Sequence, residues 1–297
     1  MPVYRELSCS SACNSVRGRF PFQWDMNIYR GCEHGCKYCF AMYSHDYLGS
    51  DAYFSDILIK TNIVEQLERQ FASPSWKREI VSIGGVTDSY QPAEEKYRLM
   101  PDILRLFIKH KNPCIISTKS DLILRDYTLI DELSRLAYVN IAATITCADE
   151  RIRCKLEPGS APSERRFAML KAFSKTNAST GLHVMPIIPY LTDTRENLDA
   201  LFAAGRDSAI TYVMTGVLYL RGRTKQAFFE FIRKDYPELC KPIYELYKTG
   251  SAGRDYKSQL YPMVNALRNK YGLSTDYRSN MDAWASRDEN RQLSLFD

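Results

Sequence analysis

No stretch of this chain is apolar for the length of a bilayer span, and its first residues, Met1-Pro2-Val3-Tyr4-Arg5-Glu6, lack the apolar core of an export signal. The charged residues just ahead of Leu7-Ser8-Cys9 argue against a lipoprotein cleavage box. Membrane-spanning and secreted disulfide scaffolds are therefore set aside, and the cytoplasm is the expected compartment. Nine cysteines, an odd number, then read as free thiols or metal ligands in a reducing environment. A strong charge of either sign is also missing. A net charge of +5 and a pI near 8.6 permit a polyanionic partner without demanding one. There is no internal repeat beyond an alternation of strand-like and helix-like segments. What is present, 297 residues with 45% apolar side chains, suffices for one large α/β domain or two ordinary ones.

Apolar runs rich in β-branched residues lie near residues 25–30, 80–86, 114–118, 139–146, 182–188 and 211–220. Between them, residues 62–71, 97–109, 127–137, 163–174, 194–204 and 224–234 have the amphipathic spacing of helices. This is the pattern of successive βα units on a parallel sheet. An extra short strand is expected at 57–60. Ser163 after Pro162 and Thr194 after Asp193 are the expected helix N-caps; Arg166 and Asn197 three residues on complete no capping box. Six βα units curl into a full or partial TIM-like barrel, with active residues at the C-terminal ends of its strands. The expected organisation is a lead-in segment (1–23), the barrel (24–234), a C-terminal helical extension (235–286, with helical signals at 242–248 and 258–271) and a charged tail (287–297). Cys9 and Cys13 are too few for a tetrahedral metal site and read as ordinary thiols.

The first strand is followed by Tyr29-Arg30-Gly31-Cys32-Glu33-His34-Gly35-Cys36-Lys37-Tyr38-Cys39-Phe40, three cysteines at C-x3-C-x2-C spacing. Three thiolates on one short loop can hold three irons of a [4Fe–4S] cube and leave the fourth iron open for chemistry. Structural zinc on Cys32, Cys36, Cys39 and His34 is the first alternative, although four ligands from eight residues would be severely strained. Three buried free cysteines are the second. The spacing and its place at a strand end favour the cluster. The second strand ends in Ile83-Gly84-Gly85-Val86-Thr87-Asp88, where two glycines let backbone approach a bound molecule, although Gly-Gly alone is usually a turn. Ser117-Thr118-Lys119-Ser120 after the third strand offers hydroxyls and a cation suited to ribose and carboxylate, and a solvated lysine is the plain alternative. Asp88 and Tyr90 are candidates to line a substrate cavity.

Cys32, Cys36 and Cys39, with aromatic Tyr38 just before the third cysteine, resemble the signature of the radical S-adenosylmethionine (SAM) superfamily over roughly residues 24–225. The resemblance implies a partial (β/α)6 barrel of the radical SAM type. It also implies an open iron that chelates the amino and carboxylate groups of SAM, which is cleaved to methionine and a 5′-deoxyadenosyl radical. An electron donor such as flavodoxin or ferredoxin is implied as partner. Tyr38 would lie against the adenine, and Gly84, Gly85, Thr87, Ser117 and Lys119 would surround SAM. Tyr29-Arg30-Gly31-Cys32, Thr118-Lys119, Glu157-Pro158-Gly159-Ser160 and Pro186-Ile187-Ile188-Pro189 are together similar to the spore photoproduct lyase-like group, whose lyases resolve a thymine dimer in DNA. Those lyases have a hydrogen-donating cysteine just past the second strand, where this chain reads Gly85-Val86-Thr87-Asp88. The donor is therefore sought elsewhere. Among Cys114, Cys147 and Cys154, Cys147 at a strand end is the best substitute, against the plain reading of a buried structural thiol.

The peptide Gln292-Leu293-Ser294-Leu295-Phe296 carries apolar side chains beyond a run of charges, as a groove-binding motif on a flexible leader does. It resembles the pentapeptide with which bacterial replication and repair proteins dock on the β sliding clamp; folding back onto the barrel is the alternative. Clamp and DNA are thus expected partners, with Arg221, Arg223 and Lys225 past the sixth strand as candidate phosphate contacts. Two other functions remain open at this point. One is a radical SAM enzyme acting on RNA, a peptide or a small molecule. The other is a non-catalytic iron–sulfur sensing module tethered to the clamp.

Overall fold

In a computed structural model, which describes residues 2–18 and 20–284, the βα alternation forms a seven-stranded sheet. The strands of the chain are β1 (Val3–Leu7), β2 (Cys13–Ser15), β3 (Trp24–Met26), β4 (Tyr29–Arg30), β5 (Asp56–Lys60), β6 (Val81–Ile83), β7 (Cys114–Thr118), β8 (Val139–Thr144), β9 (Ser179–Ile187) and β10 (Tyr212–Val217). Helices α1 (Ile63–Phe71), α2 (Ala93–Tyr97), α3 (Leu99–His110), α4 (Tyr127–Leu136), α5 (Glu150–Leu156), α6 (Ser163–Phe173), α7 (Arg195–Asp207), α8 (Gly222–Asp235), α9 (Cys240–Leu246) and α10 (Gly253–Lys270) complete it. The sheet order is β10-β9-β8-β7-β6-β3-β2. Six neighbouring strands are parallel, and β2 runs antiparallel at the edge. Because β10 does not pair with β3, the barrel stays open, as the partial (β/α)6 reading requires.

Strand alternation decides which side chains hold the barrel and which are left for function. Ile116, Ile141, Leu182, Val184 and Val213 are fully buried, in one core with Leu104, Phe107, Ile130, Leu133, Leu170, Phe173, Leu201 and Phe202 of the helices. Each such side chain contributes on the order of 1.5–3 kcal/mol of burial. Their alternates, Ser117, Thr144, His183, Met185 and Met214, are half-buried and line the other face, the barrel lumen.

Several expectations change. The first strand at 25–30 divides: β3 stays in the barrel, while β4 crosses to a three-stranded sheet with β5 and β1, in the order β1-β5-β4. The lead-in segment supplies β1 and β2. Most side chains of β1 are exposed, so burial left no alternation to read in the sequence. The helix expected at 97–109 is broken at Arg98, whose φ of 50° separates α2 from α3. Thr194 caps α7 as expected, its hydroxyl accepting from Asn197 N, but Ser163 is the first residue of α6 after Pro162 and spends its hydroxyl on the Cys147 carbonyl (2.8 Å). Helices α2 and α5 were not expected; each is only five to seven residues long, too short for a period to show. After α10 the chain passes β10, where Val213 N donates to Ser274 O (2.8 Å). Among the described residues no helix is long and apolar enough to cross a membrane. The peptide Gln292-Leu293-Ser294-Leu295-Phe296 lies outside the described residues.

Candidate active site

The cysteine loop leaves β4 through Gly31, whose φ of 85° turns the chain and whose missing Cβ would otherwise lie 2.7 Å from the Asp56 carbonyl. Two strand ends and a helix then grip the loop. From beyond β6, Thr87 Oγ1 donates to Gly31 O (2.6 Å), Gln91 Nε2 donates to the same carbonyl (3.1 Å) and Gln91 Oε1 accepts from Glu33 N (3.0 Å). From beyond β8, Gly159 N donates to His34 O (2.9 Å), and Lys37 N donates to Leu156 O (2.9 Å). A Cβ on Gly159 would sit 2.5 Å from the Glu33 carbonyl, so glycine is required for this approach. From α8, Thr224 Oγ1 donates to Cys39 O (2.9 Å).

Cys32 and Cys36 are buried and Cys39 half-buried, and all nine cysteines are free. Burial first, then Asp88 and the other two cysteines, pushes the Cys32 thiol well above its ordinary value; burial pushes Cys36 up to about 12 and raises Cys39. The amides of Ala41 and Met42 and the Tyr53 hydroxyl work the other way at Cys39, favouring a thiolate. Three soft donors on one loop, disfavoured as bare thiolates and met by amide donors, fit a cationic iron cluster. Among the described residues no three His, Cys, Asp or Glu side chains converge on a single-metal site, so the zinc alternative has no geometry. His34 instead pairs through Nδ1 with Asp88 Oδ2 (3.3 Å).

Asp88 is the hub that sequence reasoning placed only as a cavity guess. It accepts from Thr118 Oγ1 (2.8 Å), Lys119 N (2.8 Å) and Tyr90 N (2.9 Å). Burial works against this carboxylate, but His34 and the two amides outweigh it and hold its pKa at about 2. Tyr90 is fully buried. Lys119 Nζ lies 5.8 Å from the centre of the Tyr38 ring. Burial opposes the ammonium, yet Cys36, Glu157 and Asp88 together raise its pKa. Tyr38 is buried, and its hydroxyl donates to Glu157. Glu157 is fully buried and ion-paired with fully buried Arg166 (Nη1 to Oε2, 2.8 Å). Arg166 also donates to Thr144 O (2.5 Å) and Ser160 Oγ (3.2 Å).

Of the predicted cofactor contacts, Tyr38 and Lys119 meet at one strand-end cluster, and Ser117 is a half-buried residue near the end of β7. Gly84 and Gly85 follow β6. Gly84 has a φ of 88°, and a Cβ on Gly85 would lie 2.4 Å from Asp25 Oδ1. Thr87 turns its hydroxyl to the cysteine loop and acts as a brace for it. Cys147 is buried beyond β8, and its thiol donates to Asp149 O (3.3 Å). Burial pushes that thiol up to about 12. Cys114 is a core residue at the start of β7, and Cys154 is exposed. Arg223 is held by Asp46, Asp51 and Ser50 O, and Lys225 Nζ by the carbonyls of Tyr247 (3.0 Å) and Lys248 (3.3 Å). Arg221 is exposed, and among the described residues no carboxylate or carbonyl engages it. Sequence reasoning missed the Glu157–Arg166 pair. Its signal was an arginine on the apolar stripe of α6, between Ser163 and Met169, both buried.

An open parallel barrel with a three-cysteine loop beyond its first strand defines an iron–sulfur enzyme that works at the strand ends. The sequence profile of the radical SAM superfamily matches residues 26–202, and the chain belongs to that superfamily. Its enzymes use a [4Fe–4S] cluster and SAM, which here would be held by Cys32, Cys36 and Cys39 and by the residues around Tyr38; when bound, the pair supplies a carbon-centred radical. Uncharacterized protein Rv2578c of Mycobacterium tuberculosis is 35% identical over 93% of this chain and 83% of its own length. Uncharacterized protein MJ0683 of Methanocaldococcus jannaschii is 25% identical over 82% of this chain and 86% of its own. Among solved structures, a spore photoproduct lyase with bound AdoMet and dinucleoside spore photoproduct superposes with a TM-score of 0.66 at 14% identity, over 92% of this chain and 81% of that one. That likeness is one of fold.

Proposed function

We propose that this radical SAM enzyme acts on a damaged or modified base in DNA, in the cytoplasm, and is delivered there by the bacterial β sliding clamp. The observation that carries the reading is the likeness of fold to spore photoproduct lyase, which extends over 92% of the chain and so includes the elements outside the common barrel. The peptide Gln292-Leu293-Ser294-Leu295-Phe296 supports the same destination independently, since its Gln and apolar residues suit a clamp groove. A base in duplex must be flipped out to reach a buried radical, at a few kcal/mol, less at a lesion. Arg221 is the cation best placed to meet a phosphate, because Arg223 and Lys225 have partners to exchange first. Cys147 is the hydrogen donor in this reading, and flavodoxin or ferredoxin the reductant.

Reconstituted enzyme, incubated without oxygen with SAM, reductant and ultraviolet-damaged DNA, is expected to release 5′-deoxyadenosine and to consume a lesion. Release without any change in the DNA refutes the substrate. A chain lacking residues 292–296 is expected to lose clamp binding while keeping SAM cleavage; undiminished clamp binding refutes the recruitment.

A further inference from the structure

A hydrogen-bond ladder runs along the lumen face of the adjacent strands β8, β9 and β10 and ends on a half-buried histidine of β9. Asn140 Nδ2 donates to the Tyr138 hydroxyl oxygen (3.4 Å), which leaves Asn140 Oδ1 to accept from Tyr212 OH (3.0 Å). The single hydroxyl proton of Tyr212 is thereby spent. The contact between Tyr212 OH and His183 Nε2 (3.2 Å) must then be a donation from His183 Nε2–H. The ladder has no slack: the Tyr212 ring lies across Gly181, where a Cβ would fall 2.2 Å from its Cζ.

His183 stands directly above this layer, paired in register with Met214 on one side and Thr144 on the other. Burial, with the Lys119 ammonium adding to it, brings its pKa down to about 4, so the ring is neutral near neutral pH. A neutral ring protonated on Nε2 has a lone pair on Nδ1. Among the described residues nothing donates to that atom. We infer that His183 Nδ1 is a substrate-binding acceptor in the lumen and selects a substrate carrying an imide or amide N–H, such as the ring N–H of a thymine-type base.

The choice of a nucleobase rests on the DNA reading above; the acceptor itself does not. Long-range 15N–1H spectra of the full-length reconstituted enzyme are expected to show His183 protonated on Nε2 and bare on Nδ1 at neutral pH. The opposite tautomer, or an imidazolium, overturns the inference. Dinucleoside spore photoproduct and an analogue methylated on the imide nitrogens then serve as probes by calorimetric titration. Wild type is expected to prefer the unmethylated compound about tenfold, and His183→Phe to bind both alike. Binding of the parent with no such preference overturns the inference and leaves the DNA reading standing. No binding of either, with the expected tautomer, overturns the nucleobase assignment together with the DNA reading. Because the tautomer is read on the wild-type protein, a variant that fails to fold does not blunt the test.

Discussion

Arg166→Met tests whether the buried charges behind Tyr38 are balanced as pairs. Glu157 and Arg166 are both fully buried and 2.8 Å apart, and Glu157 also receives the Tyr38 hydroxyl. Removing one member of such a pair leaves an uncompensated charge at a cost of about 3–5 kcal/mol. Sign and pH dependence follow from the carboxylate. Burial alone would raise its pKa, but Arg166, then Lys119 and the Tyr38 hydroxyl, outweigh burial and place it below the ordinary 4.5. In the wild type, therefore, Glu157 contributes stability that is fully present above about 4.5 and lost as pH falls through the lower folded value. In Arg166→Met burial prevails and raises the folded pKa, so stability is instead lost as pH rises and regained on acidification. Urea unfolding of the ligand-free chain under reducing conditions should show a loss of about 3–5 kcal/mol near pH 8 and a clearly smaller loss near pH 5. Arg166→Met combined with Glu157→Gln should recover a good part of it. A loss below about 1 kcal/mol, or one equal at both pH values, would refute the pairing.

Three further outcomes are expected. Gly159→Ala forces a Cβ to within 2.5 Å of the Glu33 carbonyl, displacing the cysteine loop; iron and sulfide per chain after reconstitution should fall by half or more, and full loading would contradict the packing. Gly85→Ala meets the Asp25 carboxylate instead of the backbone of the cysteine loop, so iron content should hold while SAM affinity falls about tenfold, measured by equilibrium dialysis. Thr118→Val removes the hydroxyl that donates to Asp88 at 2.8 Å; stability should drop by about 1–3 kcal/mol, and an unchanged urea midpoint would show that Asp88 needs no such donor.

The barrel was legible because its strands are buried on the helix side and β-branched, and the helices between them are long enough for a stripe to repeat. Residues 114–118 and 127–137 match β7 and α4 to within one residue. What escaped notice lacked burial or length. Strand β1 covers little of its own surface, β2 is only three residues long, and the break between β3 and β4 falls inside one expected strand. The cysteine loop could be read from spacing alone. Its supports could not, because Gln91, Glu157 and Arg166 reach it across sequence separations that no local pattern encodes. Thr87 shows the limit from the other side: it stands in the expected segment, yet its hydroxyl faces the Gly31 carbonyl. Proximity in sequence to the glycines does not give the direction of a side chain.

The arrangement of these supports explains why ionisable residues are buried at the strand ends at all. The ends of β6, β7 and β8 each bring one: Asp88, Lys119 and Glu157. Asp88 reaches the cysteine loop through His34, and the other two reach it through Tyr38. Apolar residues of similar volume would pack at least as well and avoid the desolvation cost, so stability alone does not account for the choice. A loop of three thiols does. Each thiolate formed there needs cations and amide donors nearby, and each cation brought in needs its own carboxylate until the loop is loaded. Lys119, placed between Asp88, Glu157 and Cys36, satisfies both conditions. The carboxylates keep it charged, a fixed positive charge beside Tyr38.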